Sequence, residues 1–195
     1  MVHSQQSFPL HTLGCPKNQV DSDKIAGTLI DDGLVQTHDA SSADLVVINT
    51  CAFVEEAREE SINAVLQLEQ DRMPGSRIVV TGCLAERYGD ELAEALPEID
   101  QVSGFGVPVN LIRKPSGLSL KAGPQAPALD LLNLRRPASS LPWAYVKIAE
   151  GCDRACGFCA IPSFRGPQKS REVDSILSEV DDLSIREAVL VAQDL

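Results

Sequence analysis

Aromatic side chains are scarce, at 4% of the 195 residues with a single Trp. That rules out a stacking platform for single-stranded nucleic acid. Basic residues are outnumbered, with 17 Lys and Arg against 28 Asp and Glu for a formal net charge of −11. A non-specific nucleic-acid binder needs clustered cations to neutralise phosphates, so that class is excluded too. An acidic surface keeps a protein soluble and suits a basic protein partner. No apolar run reaches the ~18 residues of a membrane span. Met1-Val2-His3-Ser4-Gln5-Gln6 has neither a basic start nor an apolar stretch. No signal peptide is therefore expected, and a cytoplasmic location is. Histidine is limited to His3, His11 and His38, all near the start.

What is present is enough for a real core. Apolar residues make up 44% of the chain, which excludes a mainly disordered protein. The length allows one large domain, or one domain and part of another. Ser7–Leu13 reads as a strand ending at Gly14-Cys15. A helix capped by Asp21 or Ser22 is predicted to run to about Asp32 and to stop at Gly33. Asp44–Asn49 is a continuous β-branched run, the pattern of a strand buried on both faces, and it ends at Thr50-Cys51. A helix over about Val54–Asp71 follows, with Ile62, Val65 and Leu66 expected inward. Arg77–Thr81 is another buried strand, ending at Gly82-Cys83, and a helix over about Ala85–Leu96 stops at Pro97. This alternation predicts a parallel α/β sheet.

From about Lys114 to Pro142 the rhythm is lost among Pro115, Pro124, Pro127, Pro137, Gly117 and Gly123. A linker with at most one short strand is expected there. Trp143–Ala149 then alternates as a strand, Glu150–Arg171 reads as a loop, and Val173–Leu183 as a helix with Ile176, Leu177 and Val180 on its apolar side. Glu187–Ala192 is a further strand. One strand, a crossover helix and a second strand leave apolar faces to cover, so the second half reads as the opening of a larger barrel.

Six cysteines carry the chemistry. In a cytosolic chain they point to metal or redox work rather than disulfides. Cys152, Cys156 and Cys159 lie within eight residues, at spacings of four and three. A short loop of this kind can wrap three corners of an iron–sulfur cube and leave one iron open to a reactant. Zinc is the structural rival, but it favours four closed ligands, and no fourth Cys or His lies nearby. The loop follows a strand, on the face where barrel enzymes keep their active sites.

Cys15, Cys51 and Cys83 each end a predicted strand, 36 and 32 residues apart. The ends of parallel strands lie on one edge, where such folds bind ligands. Each alone reads as a small buried hydrophobe. Together they point to a shared site with three ligands and no fourth.

Cys152-Asp153-Arg154-Ala155-Cys156-Gly157-Phe158-Cys159 resembles the radical S-adenosylmethionine (SAM) superfamily. With the first trio, the chain resembles the methylthiotransferases over nearly its whole length. Gly14-Cys15-Pro16-Lys17-Asn18-Gln19-Val20-Asp21-Ser22, Asn49-Thr50-Cys51-Ala52-Phe53-Val54-Glu55-Glu56-Ala57 and Tyr145-Val146-Lys147-Ile148-Ala149-Glu150-Gly151-Cys152 resemble the branch that acts on a ribosomal protein (RimO type). The tRNA-modifying branch (MiaB type) usually has Gln-Met in place of Pro16-Lys17.

The resemblance implies an α/β fold: an N-terminal parallel-sheet methylthiotransferase domain over 1–120, a linker over 121–140, and over 141–195 the incomplete start of a radical SAM β/α partial barrel. It implies two 4Fe-4S clusters and SAM as cofactors. Cys152, Cys156 and Cys159 would bind the radical-generating cluster, with Phe158 packing against the cluster or the adenine. Cys15, Cys51 and Cys83 would bind the auxiliary cluster that carries the donated sulfur. No catalytic residue is assigned beyond these ligands. The implied reaction is methylthiolation, at the β-carbon, of an aspartate in the twelfth protein of the small ribosomal subunit. The implied partners are that protein and an electron donor such as flavodoxin or ferredoxin, with no membrane. RNA contact would come only through the C-terminal β domain of the family (TRAM), which lies outside this chain. The rest of the barrel, with the SAM-binding residues of its later strands, also lies outside this chain, so the 195 residues are expected to be inactive alone. Two alternatives stand beside this reading: a tRNA methylthiotransferase, and a non-catalytic iron–sulfur or zinc module. Arg165 and Arg171 are candidates to bind a carboxylate or substrate, or else ordinary exposed loop arginines. Glu55, Glu56, Glu59 and Glu60 read as a solvated helix face. Asn18 and Gln19 are expected either to position the site at Cys15 or to serve as turn and cap residues.

Overall fold

The computed structural model describes residues 5–109, 119–120 and 130–194. His3, residues 121–129 of the expected linker and Leu195 lie outside the described residues. The elements are β1 (Ser7–Phe8), β2 (Leu10–Thr12), α1 (Pro16–Asp31), β3 (Val35–Gln36), β4 (Leu45–Thr50), α2 (Glu55–Asp71), β5 (Arg77–Gly82), α3 (Cys83–Ala95), β6 (Gln101–Ser103), β7 (Ser119–Leu120), β8 (Trp143–Lys147), β9 (Ala149–Glu150), α4 (Ile161–Arg165), β10 (Lys169–Ser170), α5 (Val173–Leu183) and β11 (Glu187–Val191).

The β-branched runs do what their composition dictates. β4 and β5 pair in register from Leu45↔Arg77 to Thr50↔Gly82, at the centre of a parallel sheet ordered β2-β4-β5-β6-β7. Successive side chains alternate faces. Val46, Ile48, Ile78 and Val80 pack with Val65, Leu68, Leu84 and Leu92 of α2 and α3. Leu45, Val47 and Val79 pack on the other face with Phe8 and with Ala26 and Leu29 of α1. Helices thus cover both faces, as a fully apolar parallel sheet requires.

Three predicted details change. The first strand is split at Pro9, which has no N–H to donate to a ladder; β1 pairs with β3, and β2 with β4. α1 starts at Pro16, with Cys15 as N-cap, rather than at Asp21. Proline at the first helical position is the start signal there. α2 buries Ser61, Val65 and Leu68, while Ile62 and Leu66 stay exposed. Ser61 faces inward because its hydroxyl accepts from the Cys51 N–H at 3.0 Å. β6 is a strand that the sequence pattern does not predict, and β7 is the short strand expected in the linker.

In the second half, β8 and β11 pair in parallel across α5, and Val146, Ala144 and Leu183 form a small core with Ile148, Ile176 and Val180. Leu177, expected on the apolar side, is exposed. The predicted loop between β8 and α5 contains α4 and a short antiparallel pair, β9 with β10.

The halves are fastened together. Residues 130–139, expected as linker, run along α1. Lys24 Nζ donates to Leu132 O at 2.5 Å. A Cβ on Gly27 would meet Arg135 O at 2.9 Å, so only glycine allows this approach. Arg136 donates to Glu179 (2.7 Å), Asp23 (3.0 Å) and Tyr145 O (2.5 Å). Among the described residues no helix is long and apolar enough to cross a membrane.

Candidate metal centres at two facing sheet edges

The C-terminal ends of β2, β4 and β5 lie side by side; a cysteine follows β4 and β5 at once and β2 after Leu13 and Gly14. Gly14-Cys15 leads into α1, Thr50-Cys51 follows β4, and Cys83 opens α3 directly after Gly82. All three are free thiols; Cys51 and Cys83 are buried and Cys15 is half-buried. The backbone needed for this is available only to glycine. Gly14 and Gly82 have φ near +93° and +94°. A Cβ on Gly14 would stand 2.8 Å from Cys51 Sγ, and one on Gly82 would stand 2.5 Å from Thr50 O.

Asn18 ties the edge together. Its amide donates to Leu13 O at 2.9 Å and to Thr50 O at 3.1 Å, joining the ends of β2 and β4. Its Oδ1 stands 3.6 Å from Cys83 Sγ and accepts from Arg165 Nη2 at 2.7 Å. Of the two roles considered for Asn18, the geometry favours positioning. Gln19 instead bonds Asp23 on the helix surface. Burial pushes the Cys83 thiol up from its ordinary value, against the pull of the Arg165 guanidinium. Among the described residues, no three of His, Cys, Asp and Glu are gathered closely enough to hold a single metal ion.

The second trio follows β8 and β9. Cys152 is buried, its N–H donating to Gly166 O at 3.1 Å and its sulfur accepting from the Arg154 N–H at 3.4 Å. Cys159 is half-buried and Cys156 exposed. Gly151 lets the loop turn against Pro167, where a Cβ would lie 2.1 Å from the carbonyl oxygen. The end of β11 closes on this loop through Asp194, which accepts from Arg154 at 2.8 Å. Phe158 points outward, 93% exposed.

A buried ionic network joins the two sites. The Asp21 carboxylate of α1 accepts from Lys147 of β8 and from Arg165 of α4, the latter at 2.9 Å. Glu150 accepts from the same two cations, at 2.6 and 3.1 Å, and from Gln193 at 2.7 Å. Burial alone would push the Asp21 carboxyl up, but Lys147 and Arg165 outweigh it and hold it below its ordinary value. Arg165 also donates to Cys83 Sγ at 3.0 Å. Arg165 and Arg171, for which both a carboxylate-binding role and an exposed loop position were open, are both buried and paired with carboxylates. Arg171 is tied to Glu179 and to Lys147 O. Asp21, Lys147 and Glu150 escaped the sequence reading. Asp21, expected as a helix cap, lies inside α1 and serves this network, and a lysine inside an apolar strand, as Lys147 is, signals such a buried partner.

The family model "Uncharacterized protein family UPF0004" matches residues 7–104, the whole first sheet edge with its three cysteines. Curated relatives align over nearly all of the chain. The ribosomal protein uS12 methylthiotransferase RimO of Anaeromyxobacter sp. (strain K) is 43% identical over 195 residues, covering 95% of this chain and 41% of the relative. RimO of Helicobacter pylori (strain G27) is 41% identical, over 99% of this chain and 44% of the relative. RimO of Helicobacter acinonychis (strain Sheeba) is 43% identical, over the full chain and 44% of the relative. The chain thus spans under half the length of these relatives. A looser likeness is to a solved structure of the cobalamin-dependent S-adenosylmethionine radical enzyme OxsB, with TM-score 0.44 and 12% identity over 97% of this chain and 34% of that one. By the family match the chain belongs to the UPF0004 family, and its sequence is similar to those of proteins named RimO.

Proposed function

We propose that this chain is the cluster-bearing part of a RimO-type, radical SAM-dependent methylthiotransferase that acts on an aspartate of ribosomal protein uS12. One observation carries the reading. One trio of free thiols stands at the C-terminal ends of three parallel strands, a second lies in the loop after β9, and Arg165 and Lys147 tie the two sites together, in a chain 41–43% identical to proteins named RimO. The thiols suit iron–sulfur clusters, for which cysteine thiolate is the preferred ligand. A cube spreads its ligands more widely than a single ion, which agrees with thiols that share an edge without closing on one point.

Cys15, Cys51 and Cys83 would hold an auxiliary 4Fe-4S cluster, and Cys152, Cys156 and Cys159 a second one that binds SAM. With SAM, the clusters supply a radical able to break an unactivated C–H bond and a sulfur to place there. The chain's own residues prepare for this. Asn18 fixes the three strand ends, Gly14 and Gly82 bring backbone close to the thiols, and Asp21, Lys147, Glu150 and Arg165 hold the two edges together. Phe158, exposed beside Cys159, is free to pack against the cluster or the adenine. On this reading residues 1–120 form the auxiliary-cluster domain, 121–140 the connection, and 141–195 the start of a β/α barrel. The protein works in the cytoplasm with a flavodoxin- or ferredoxin-class electron donor.

Anaerobic reconstitution tests the assignment. About eight irons per chain are expected, falling to about four when either trio is replaced by alanine. A SAM-dependent spectral change should vanish only with Cys152, Cys156 and Cys159. An enzyme carrying this segment and the remaining length of its relatives should add a methylthio group to uS12 and not to tRNA. Two zinc ions and no response to SAM would overturn the proposal.

A further inference from the structure

Resting on that reading, we infer that Arg165 is the positioning residue that couples the two thiol sites: rooted in the helix leaving the Cys152–Cys159 loop, it reaches across to Cys83 and raises the reduction potential of the cluster that Cys83 ligates. Its side chain is 3% exposed. One guanidinium nitrogen, Nη1, lies on the carboxylates of Asp21 (2.9 Å) and Glu150 (3.1 Å). The other, Nη2, is directed at Cys83 Sγ (3.0 Å) and Asn18 Oδ1 (2.7 Å). The plane packs over Phe105, with the guanidinium carbon 4.2 Å from the ring centroid.

A purely structural ion pair would use both arms of the fork on carboxylate. Here Lys147 already gives Asp21 and Glu150 a second cation, and one arm of Arg165 is spent on sulfur. Asp21 and Phe105 fix the plane, Asn18 fixes the second arm, and the remaining N–H can only meet the thiol. An N–H···S bond draws electron density from a ligand sulfur, and a fixed buried cation stabilises the reduced, more negative cluster. Hydrogen bonds to sulfur and net charge are two of the protein's main controls on cluster potential. The placement also makes the first site depend on the second half being docked.

The test is a spectroscopically monitored redox titration of the reconstituted 195-residue chain. Cys152, Cys156 and Cys159 are replaced by alanine, so that only the first-half cluster reports. Arg165→Met should move its midpoint negative by at least a tenfold change in the one-electron reduction equilibrium, about 59 mV. Arg165→Lys, which keeps the charge but loses the fork, should give a smaller shift of the same sign. Iron and sulfide content should match the parent. Midpoints equal to the parent's at equal iron content would overturn the inference alone. If Arg165→Met fails to hold iron, Arg165→Lys decides: a negative shift supports the inference, and an unchanged midpoint overturns it. A parent chain that takes up no iron at Cys15, Cys51 and Cys83 overturns both this inference and the reading beneath it.

Discussion

The Asp21 carboxylate of α1 and the Lys147 ammonium of β8 form an ion pair from which water is excluded, at 1% and 0% side-chain exposure. The pair joins residues 126 positions apart and belongs to a set of two cations and two carboxylates completed by Arg165 and Glu150. Such a set is balanced only as a whole, because each charge was taken out of water to make it. Removing one member leaves the opposite charge buried and uncompensated.

Asp21→Asn should therefore cost about 3–5 kcal/mol, read as a lower urea midpoint at unchanged slope. The acid limb carries a second signature. A carboxyl whose folded pKa is depressed contributes stability that is present above its unfolded value, about 3.9, and is lost as pH falls through the folded value. The parent should lose stability over that window, and Asp21→Asn should lose less. Equal acid limbs would show that the carboxylate is not the group holding the halves.

The glycines at the thiol edge separate close approach from conformational strain. Gly33, like Gly82, has a positive φ, yet nothing lies within 4 Å of a Cβ placed on it. Gly33→Ala should therefore cost only the left-handed penalty, roughly 1–2 kcal/mol. Gly82→Ala adds a collision, with Thr50 O at 2.5 Å and Thr50 N at 2.7 Å, backbone atoms that cannot rotate away. It should cost clearly more in thermal melts and lower iron uptake at Cys51 and Cys83. Matching melting temperatures for the two variants would refute the close-approach argument.

The sequence made the central strands legible because β4 and β5 are apolar on both faces, so no tertiary context had to be known. The edge was legible as well, since a cysteine close after each strand is a local pattern. What escaped needed long-range information. Ile62 and Leu66 looked like the buried face of α2, but Ser61 turned that face because a backbone group at Cys51 needed a partner. Lys147 sat in an apolar strand whose neutralising carboxylate, Asp21, lies in the other half, so the network joining the two sites could not be read from either half alone. For Arg165 the sequence leaves open a carboxylate binder or an exposed loop arginine, because α4, from Ile161 to Arg165, is too short to show periodicity.

Lys24 offers a prediction whose sign runs opposite to that of Asp21. Its ammonium is fully buried, donating to Leu132 O at 2.5 Å and lying 3.6 Å from Glu179. Glu179 is shared with Arg136 and Arg171, so three cations compete for one buried carboxylate. Burial, against the pull of Glu179 and with the repulsion of Arg171, Lys147 and Arg136, pushes the Lys24 pKa down from 10.5 to about 8. Between those values the unfolded chain holds a proton that the folded chain has given up. Stability from this group must then rise with pH across the window, by at most about 1.4 kcal/mol per pH unit. The penalty is fully present below about pH 8 and relieved above it. The quantity to measure is the difference between the parent and Lys24→Met, by urea denaturation under reducing conditions at several pH values from about 7 to 10. The parent should gain on the variant as pH rises. A difference independent of pH would mean that Lys24 keeps its proton throughout and that Glu179 serves it as fully as it serves the two arginines.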